Sequence, residues 1–175
     1  NEISWVNWDL SEQDNDLLEF TRTMMWLRRD HPVLRRRRFF TGDARHGGES
    51  ELGEIEWLTP AGESMTDQDW TTWYARAMMV FLNGEAIAEP DERGQRIVDD
   101  SFLVLINASD EDITFTLPGE GYAPTWKVAL DTAPAVDGDS DPVLAADDTV
   151  VVEARSMLFL IDAPESAATT ERHPR

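Results

Sequence analysis

Hydrophobic positions between residues 12 and 30 recur with a helical period. On a wheel of about 100° per residue, Leu17, Phe20, Met24 and Leu27 share one face, with Leu18 and Met25 beside them. Ser11 stands as an N-cap ahead of Glu12 and Asp14, Arg28 and Arg29 occupy the last turn, and Pro32 blocks continuation. Both ends therefore suit the helix dipole. Trp26 falls on the opposite side of the wheel. A helix with this second apolar contact has the pattern of one wedged between a larger body and a second domain.

After Phe39 the period changes to two. "GEIEWLT" alternates Ile55 and Trp57 against Glu54 and Glu56, and "DITFTLPG" alternates Ile113, Phe115 and Leu117 against Thr114 and Thr116. Both read as half-buried strands, with the apolar members facing the core. "ARAMMVFLNG", "SFLVLIN" and "SMLFLID" are apolar on both faces and end in turn residues such as Asn83-Gly84, which predicts central strands covered on both sides. "TWKVAL" and "TVVVEA" complete roughly eight strand candidates separated by Gly, Pro and Asp-rich turns, the pattern of an antiparallel sandwich. "DTAPAVDGDSDPVLAADD" reads as a long polar loop and "PESAATTERHPR" as a disordered tail.

Composition narrows the range of partners. The 35 Asp and Glu against 15 Lys and Arg leave a formal net charge of −20, which disfavours nucleic acid and anionic membrane and suits a neutral ligand. The longest apolar runs are too short to span a bilayer, and without cysteine there is neither a disulfide framework nor a thiolate metal site. The cytoplasm is the expected compartment. The chain begins with Asn1, and its first residues read as the middle of a longer sequence, so a cut end is expected.

Chemistry is sparse. Arg35 to Arg38 form a basic run, but in an acidic chain they read as scaffold, paired with carboxylates or stacked on aromatics. Asp137, Asp139 and Asp141 have the spacing of calcium-loop ligands, yet Pro142 stands where that loop needs glycine. His31, His46 and His173 are not spaced as ligands or as a catalytic pair, so no metal and no cofactor are expected. Of the seven tryptophans, Trp26, Trp57 and Trp126 read as core or interface residues. Trp70 and Trp73, in the loop-like "TDQDWTTWYA", are the candidates for exposure and for stacking on a pyranose ring. Glycoside hydrolysis needs two acids about 5–10 Å apart, and no pair can be singled out among so many carboxylates.

The order of the segments "NEISWVNWDL", "LLEFTRTMMWLRRDHPVLRRRRFFTG", "MTDQDWTTWYARAMMVFLNGEAI" and "DERGQRIVDDSFLVLINAS" closely resembles the C-terminal part of bacterial glycogen debranching enzymes of the isoamylase type, in the α-amylase superfamily. The resemblance runs from Asn1 to about Ile161. It implies a mainly β chain: an antiparallel β-sandwich C-terminal domain preceded by the last helix of a truncated (β/α)8 barrel. On that template residues 1–38 end the catalytic barrel, 39–163 form the sandwich and 164–175 the tail. The arginine run then lies at the junction, as interface and strand-pairing residues. The implied activity is hydrolysis of α-1,6 branch linkages of glycogen or limit dextrin, by a retaining mechanism with a covalent glycosyl intermediate. The catalytic acids lie upstream, so no catalytic residue is assigned and the fragment alone is expected to be inactive. Asn1 and Glu2 match the end of the family's Gln-Asp-Asn-Glu stretch beside the sugar cleft. Partners on this template are the α-glucan and the N-terminal catalytic barrel. The rival expectation is a non-catalytic module, either glucan-binding through exposed tryptophans or purely structural.

Overall fold

The computed structural model describes residues 4–5, 8–40, 52–72, 76–133 and 142–163. Helix α1 spans Glu12–Asp30 and starts at the predicted cap. The Ser11 hydroxyl accepts the Asp14 N–H at 3.2 Å, while the Asp14 carboxylate accepts the Ser11 N–H at 3.1 Å, satisfying two otherwise orphaned donors. The Ser11 hydroxyl also donates to the Asp14 carboxylate at 2.7 Å, and this bond first, with the one from the Ser11 N–H, holds the Asp14 carboxyl below its ordinary range. The helix stops at His31, and Pro32–Arg35 form one 3-10 turn.

Eight strands follow: β1 Ile55–Leu58, β2 Ala77–Leu82, β3 Phe102–Asn107, β4 Ile113–Thr116, β5 Thr125–Asp131, β6 Val143–Ala145, β7 Thr149–Val152 and β8 Ser156–Asp162, with a short helix α2 at Asp67–Thr71. Six of them form one antiparallel sheet in the order β1-β2-β3-β8-β5-β6, and β4 pairs with β7 in a second. Runs apolar on both faces, β3 and β8, take the centre of the large sheet, as predicted. The core lies between the sheets: Leu58, Met79, Phe81, Leu103, Leu105, Leu158, Leu160 and Trp126 from the large sheet meet Phe115 and Val152 from the small one. The chain is thus a mainly antiparallel β structure with few helices, as expected for the sandwich.

Asn107 holds the two sheets together at one end. It is 1% exposed, and its amide nitrogen is shared among the carbonyls of Glu111, Val152 and Glu153 at 2.9, 3.0 and 3.0 Å. Its carbonyl oxygen accepts the Ser109 N–H and hydroxyl at 2.9 and 2.7 Å. Buried polar groups need such partners, and here one side chain closes the β3–β4 turn and fastens it to the end of β7.

Three sequence expectations change. The phase of β1 is the reverse of the predicted one: Leu58 and Glu56 lie opposite Met79 and Phe81 on the core face, while Trp57 pairs with Val80 and faces outward. "TDQDWTTWYA" is not all loop, because Thr66 and Asp69 form a second reciprocal cap and start α2. Within the polar loop before Asp147, Val143–Ala145 add an edge strand to β5.

Candidate functional site

Asn1, Glu2 and Trp73 lie outside the described residues, as do the calcium-spaced Asp137, Asp139 and Asp141 and the histidines His46 and His173. Trp70 sits on α2 and is 51% exposed, as the sequence suggested. Its partner was not foreseen. Trp57, expected in the core, is 38% exposed and meets Trp70 edge to face, with ring centroids 5.3 Å apart and planes at 75°. Trp126, in contrast, is fully buried, as expected for a core residue. The clue to Trp57 was Leu58, which breaks the alternation of "GEIEWL": only one of the two neighbours can face the core, and Leu58 takes that place between Met79 and Phe115.

The strand and the helix that carry this aromatic pair are tied together by backbone. The Trp57 carbonyl accepts the Met65 N–H at 2.8 Å, and the Thr59 N–H donates to the Glu63 carbonyl at 2.8 Å. The Thr66 N–H and hydroxyl donate to the Asp69 carboxylate at 2.8 and 2.7 Å, which fixes the start of α2 one residue further on. The turn between them ties the two indoles together, and the pairing of β1 with β2 sets the face on which Trp57 lies.

A second polar constellation joins α1 to the sandwich. His31 Nδ1 lies 2.9 Å from Asp99 Oδ1, the imidazole meets Phe102 edge to face at 4.8 Å, and Asp99 Oδ2 accepts the Val33 N–H at 2.8 Å. Val33 is buried against Ile87 and Phe102, with Leu27, Leu34 and Ile161 around them. The arginine run divides its work. Arg36 is buried, donates to the carbonyls of Asn83 and Ala86 at 2.7 and 3.2 Å, and lies 3.7 Å from Glu54. Burial lowers its pKa, against the opposing pull of Glu54, Glu89 and Asp99. The backbone N–H groups of Arg37 and Arg38 both donate to Glu89, at 2.9 and 2.5 Å. Arg36 to Arg38 do contact the sandwich, but the expected strand pairing does not occur: Arg35 ends the 3-10 turn and Arg36 to Arg38 lie outside every strand. Pro32 and the docking of Val33 turn the segment before it can lie along the sheet.

His31, Asp99 and Asp100 bring ligand atoms within 4.8 Å of one another, a grouping invisible in the sequence spacing. His31 Nδ1 and both Asp99 oxygens are already engaged in the brace just described, which fastens the end of α1 to the sandwich. Nearby, a cleft of about 480 Å³ is lined by Phe81, Asn83, Glu85, Ser101, Tyr122 and Asp162. Burial pushes the Asp162 carboxyl up to about 6; a backbone hydrogen bond with Ser101 opposes the shift, and the charges of Asp100, Glu85 and Asp99 add to it. One of its oxygens, Oδ1, is buried without a hydrogen-bond partner among the described residues.

Comparison with known proteins accounts for this framework. Residues 54–163 match the family described as "Isoamylase, C-terminal", from the residue before β1 to the residue after β8. The chain is 49% identical over 160 residues to the "Glycogen operon protein GlgX homolog" of Mycobacterium tuberculosis, covering 91% of this chain and 22% of that protein. It is 28% identical over 129 residues to the "Glycogen debranching enzyme" of Dickeya chrysanthemi, covering 74% of this chain and 15% of the relative. Against the "Isoamylase" of a Flavobacterium species it is 25% identical over 173 residues, covering 90% and 20%. The chain therefore spans about a fifth of the length of these relatives. Most of its length, including every strand of both sheets, follows one family pattern, and the chain belongs to the isoamylase C-terminal family.

Proposed function

We propose that this chain is the C-terminal module of a glycogen-debranching glycoside hydrolase that cleaves α-1,6 branch linkages of glycogen or limit dextrin. The observation that carries this reading is the 49% identity, across 91% of the chain, to a protein named for the glycogen operon. The catalytic acids belong to an upstream (β/α)8 barrel, of which residues 1–38 supply the final helix, with Asn1 and Glu2 beside the sugar cleft. Residues 39–163 form the sandwich and 164–175 a tail. The state of α1 supports this division. Among the described residues its C-terminal end packs on the sandwich through Leu27, while Leu17, Met24 and Met25 stay exposed, an apolar surface suited to a neighbouring domain. No helix among the described residues is long and apolar enough to cross a membrane. A cytoplasmic location goes with the proposed action on a stored polysaccharide.

The role of the sandwich is then to brace the end of the barrel through His31, Val33 and Arg36. The test is hydrolysis by the full-length gene product that carries this chain. We expect release of reducing ends from glycogen limit dextrin by the full-length protein and none by the 175-residue chain alone. A full-length protein that leaves α-1,6 branches intact would sink the proposal, as would activity from the short chain.

A further inference from the structure

The exposed aromatic pair calls for an explanation that bracing does not supply. The inner faces of the sandwich bury Phe81, Phe115 and Trp126 completely or nearly so, yet two of the largest apolar side chains, Trp57 and Trp70, remain in solvent side by side. Resting on the debranching reading above, we propose that the Trp57–Trp70 corner is a docking platform for α-glucan chains on the sandwich.

Three features select this ligand. The first is shape: two partly exposed indoles at 75° form a corner whose solvent-exposed indole surface can receive the apolar face of a pyranose ring. The ring–ring contact and the backbone ties between β1 and α2 fix the corner in advance, so little side-chain freedom is lost on binding. The second is size and rim. Thr66, Asp67, Gln68 and Thr71 surround Trp70 in sequence, and Asp67 lies one helical turn before it, placed to accept hydroxyl donors from a sugar bound on the indole. A two-ring patch with a rim of hydroxyls, carboxylates and an amide matches one or two sugar units, whereas a protein partner needs an interface of about 1,000 Å² or more. The third is charge. A neutral polysaccharide is indifferent to the net charge of −20 that repels nucleotides and polyanions. The platform would keep a polymeric substrate near the enzyme between cleavage events, raising its effective concentration.

The test is mobility of the full-length protein in native gels containing glycogen, with Trp57→Ala, Trp70→Ala and the conservative Trp57→Phe and Trp70→Phe variants. Thermal melting of each variant confirms folding, and the difference in acrylamide quenching between wild type and the Trp57→Phe and Trp70→Phe variants separates the pair from the other five tryptophans of the chain. We expect each alanine variant to weaken glycogen retardation by about three- to tenfold, the phenylalanine variants to retain most of it, and the quenching difference between wild type and the phenylalanine variants to fall when maltoheptaose is added. Alanine variants that fold and are retarded like wild type would overturn the platform while leaving the debranching reading intact. The same holds if the two indoles prove unquenchable without glucan, because another domain then covers them. A wild-type protein that neither cleaves glycogen branches nor is retarded would overturn the debranching reading, and the platform with it.

Discussion

Replacing Asp162 by asparagine should stabilise this protein at neutral pH and do nothing in acid. Asp162 ends β8, is half-buried in the cleft beside Glu85 and Ser101, and keeps one oxygen without a partner among the described residues. Its carboxyl is raised from 3.8 to about 6, with burial the leading cause. Folding therefore favours the protonated form. Relative to an ordinary aspartate, the stability is intact below about pH 4 and is lost as pH rises through about 6; at neutral pH the penalty is complete. A rise from 3.8 to about 6 corresponds to about 3 kcal/mol for a fully shielded group, and solvent screening of this half-exposed one reduces that to about 1 kcal/mol. Asparagine keeps the size and one carbonyl oxygen but has no charge to desolvate. Urea unfolding of wild type and Asp162→Asn at pH 7.5 and pH 4 measures the difference directly. We expect the variant to gain about 1 kcal/mol at pH 7.5 and to match wild type at pH 4. An equal loss at both pH values would refute the electrostatic account and show that the carboxylate is a structural acceptor.

Three further changes test the framework. Arg36→Ala should destabilise by about 2–4 kcal/mol in chemical unfolding, because it leaves the carbonyls of Asn83 and Ala86 without their charged donor and removes the guanidinium 3.7 Å from Glu54. Arg36→Lys should recover little, since one ammonium lacks the fork that reaches both carbonyls. Gly84→Ala should lower the melting temperature sharply, with a cost of about 3 kcal/mol or more, because a Cβ there would lie 2.1 Å from the Asp99 carbonyl oxygen and 2.3 Å from that of Asp100. A thermal melt unchanged by that substitution would show that the 83–101 connection can move aside. Asn107→Leu should cost about 2–4 kcal/mol, and hydrogen exchange should localise the loss to the β3–β4 turn and the end of β7, where its three amide acceptors lie.

What the sequence determined by itself is local or dense. The ends of α1 could be read because the Ser11 and Asp14 cap, the terminal arginines and Pro32 all act within one turn of the boundary. The central strands β3 and β8 were visible because burial on both faces demands apolar residues at successive positions, leaving no phase to choose. Membership in the family also follows from segment order alone. Where one face must be chosen, the tertiary structure decided. Ile55 and Trp57 and Leu58 compete for the core in β1, and pairing with β2 gives it to Leu58, which leaves Trp57 outside to meet Trp70 from another element. Val143–Ala145 become a strand only because the edge of β5 offers them hydrogen bonds. Among four consecutive arginines, the sequence cannot distinguish Arg36, the one buried by the carbonyls of a turn 47 residues away. The same is true of Asp162, whose raised pKa reflects burial and the charges of three acids from the β2–β3 connection. Capping and periodicity act between near neighbours along the chain, so sequence encodes them directly; burial, charge environment and exposed pairing are sums over residues that only the folded chain brings together.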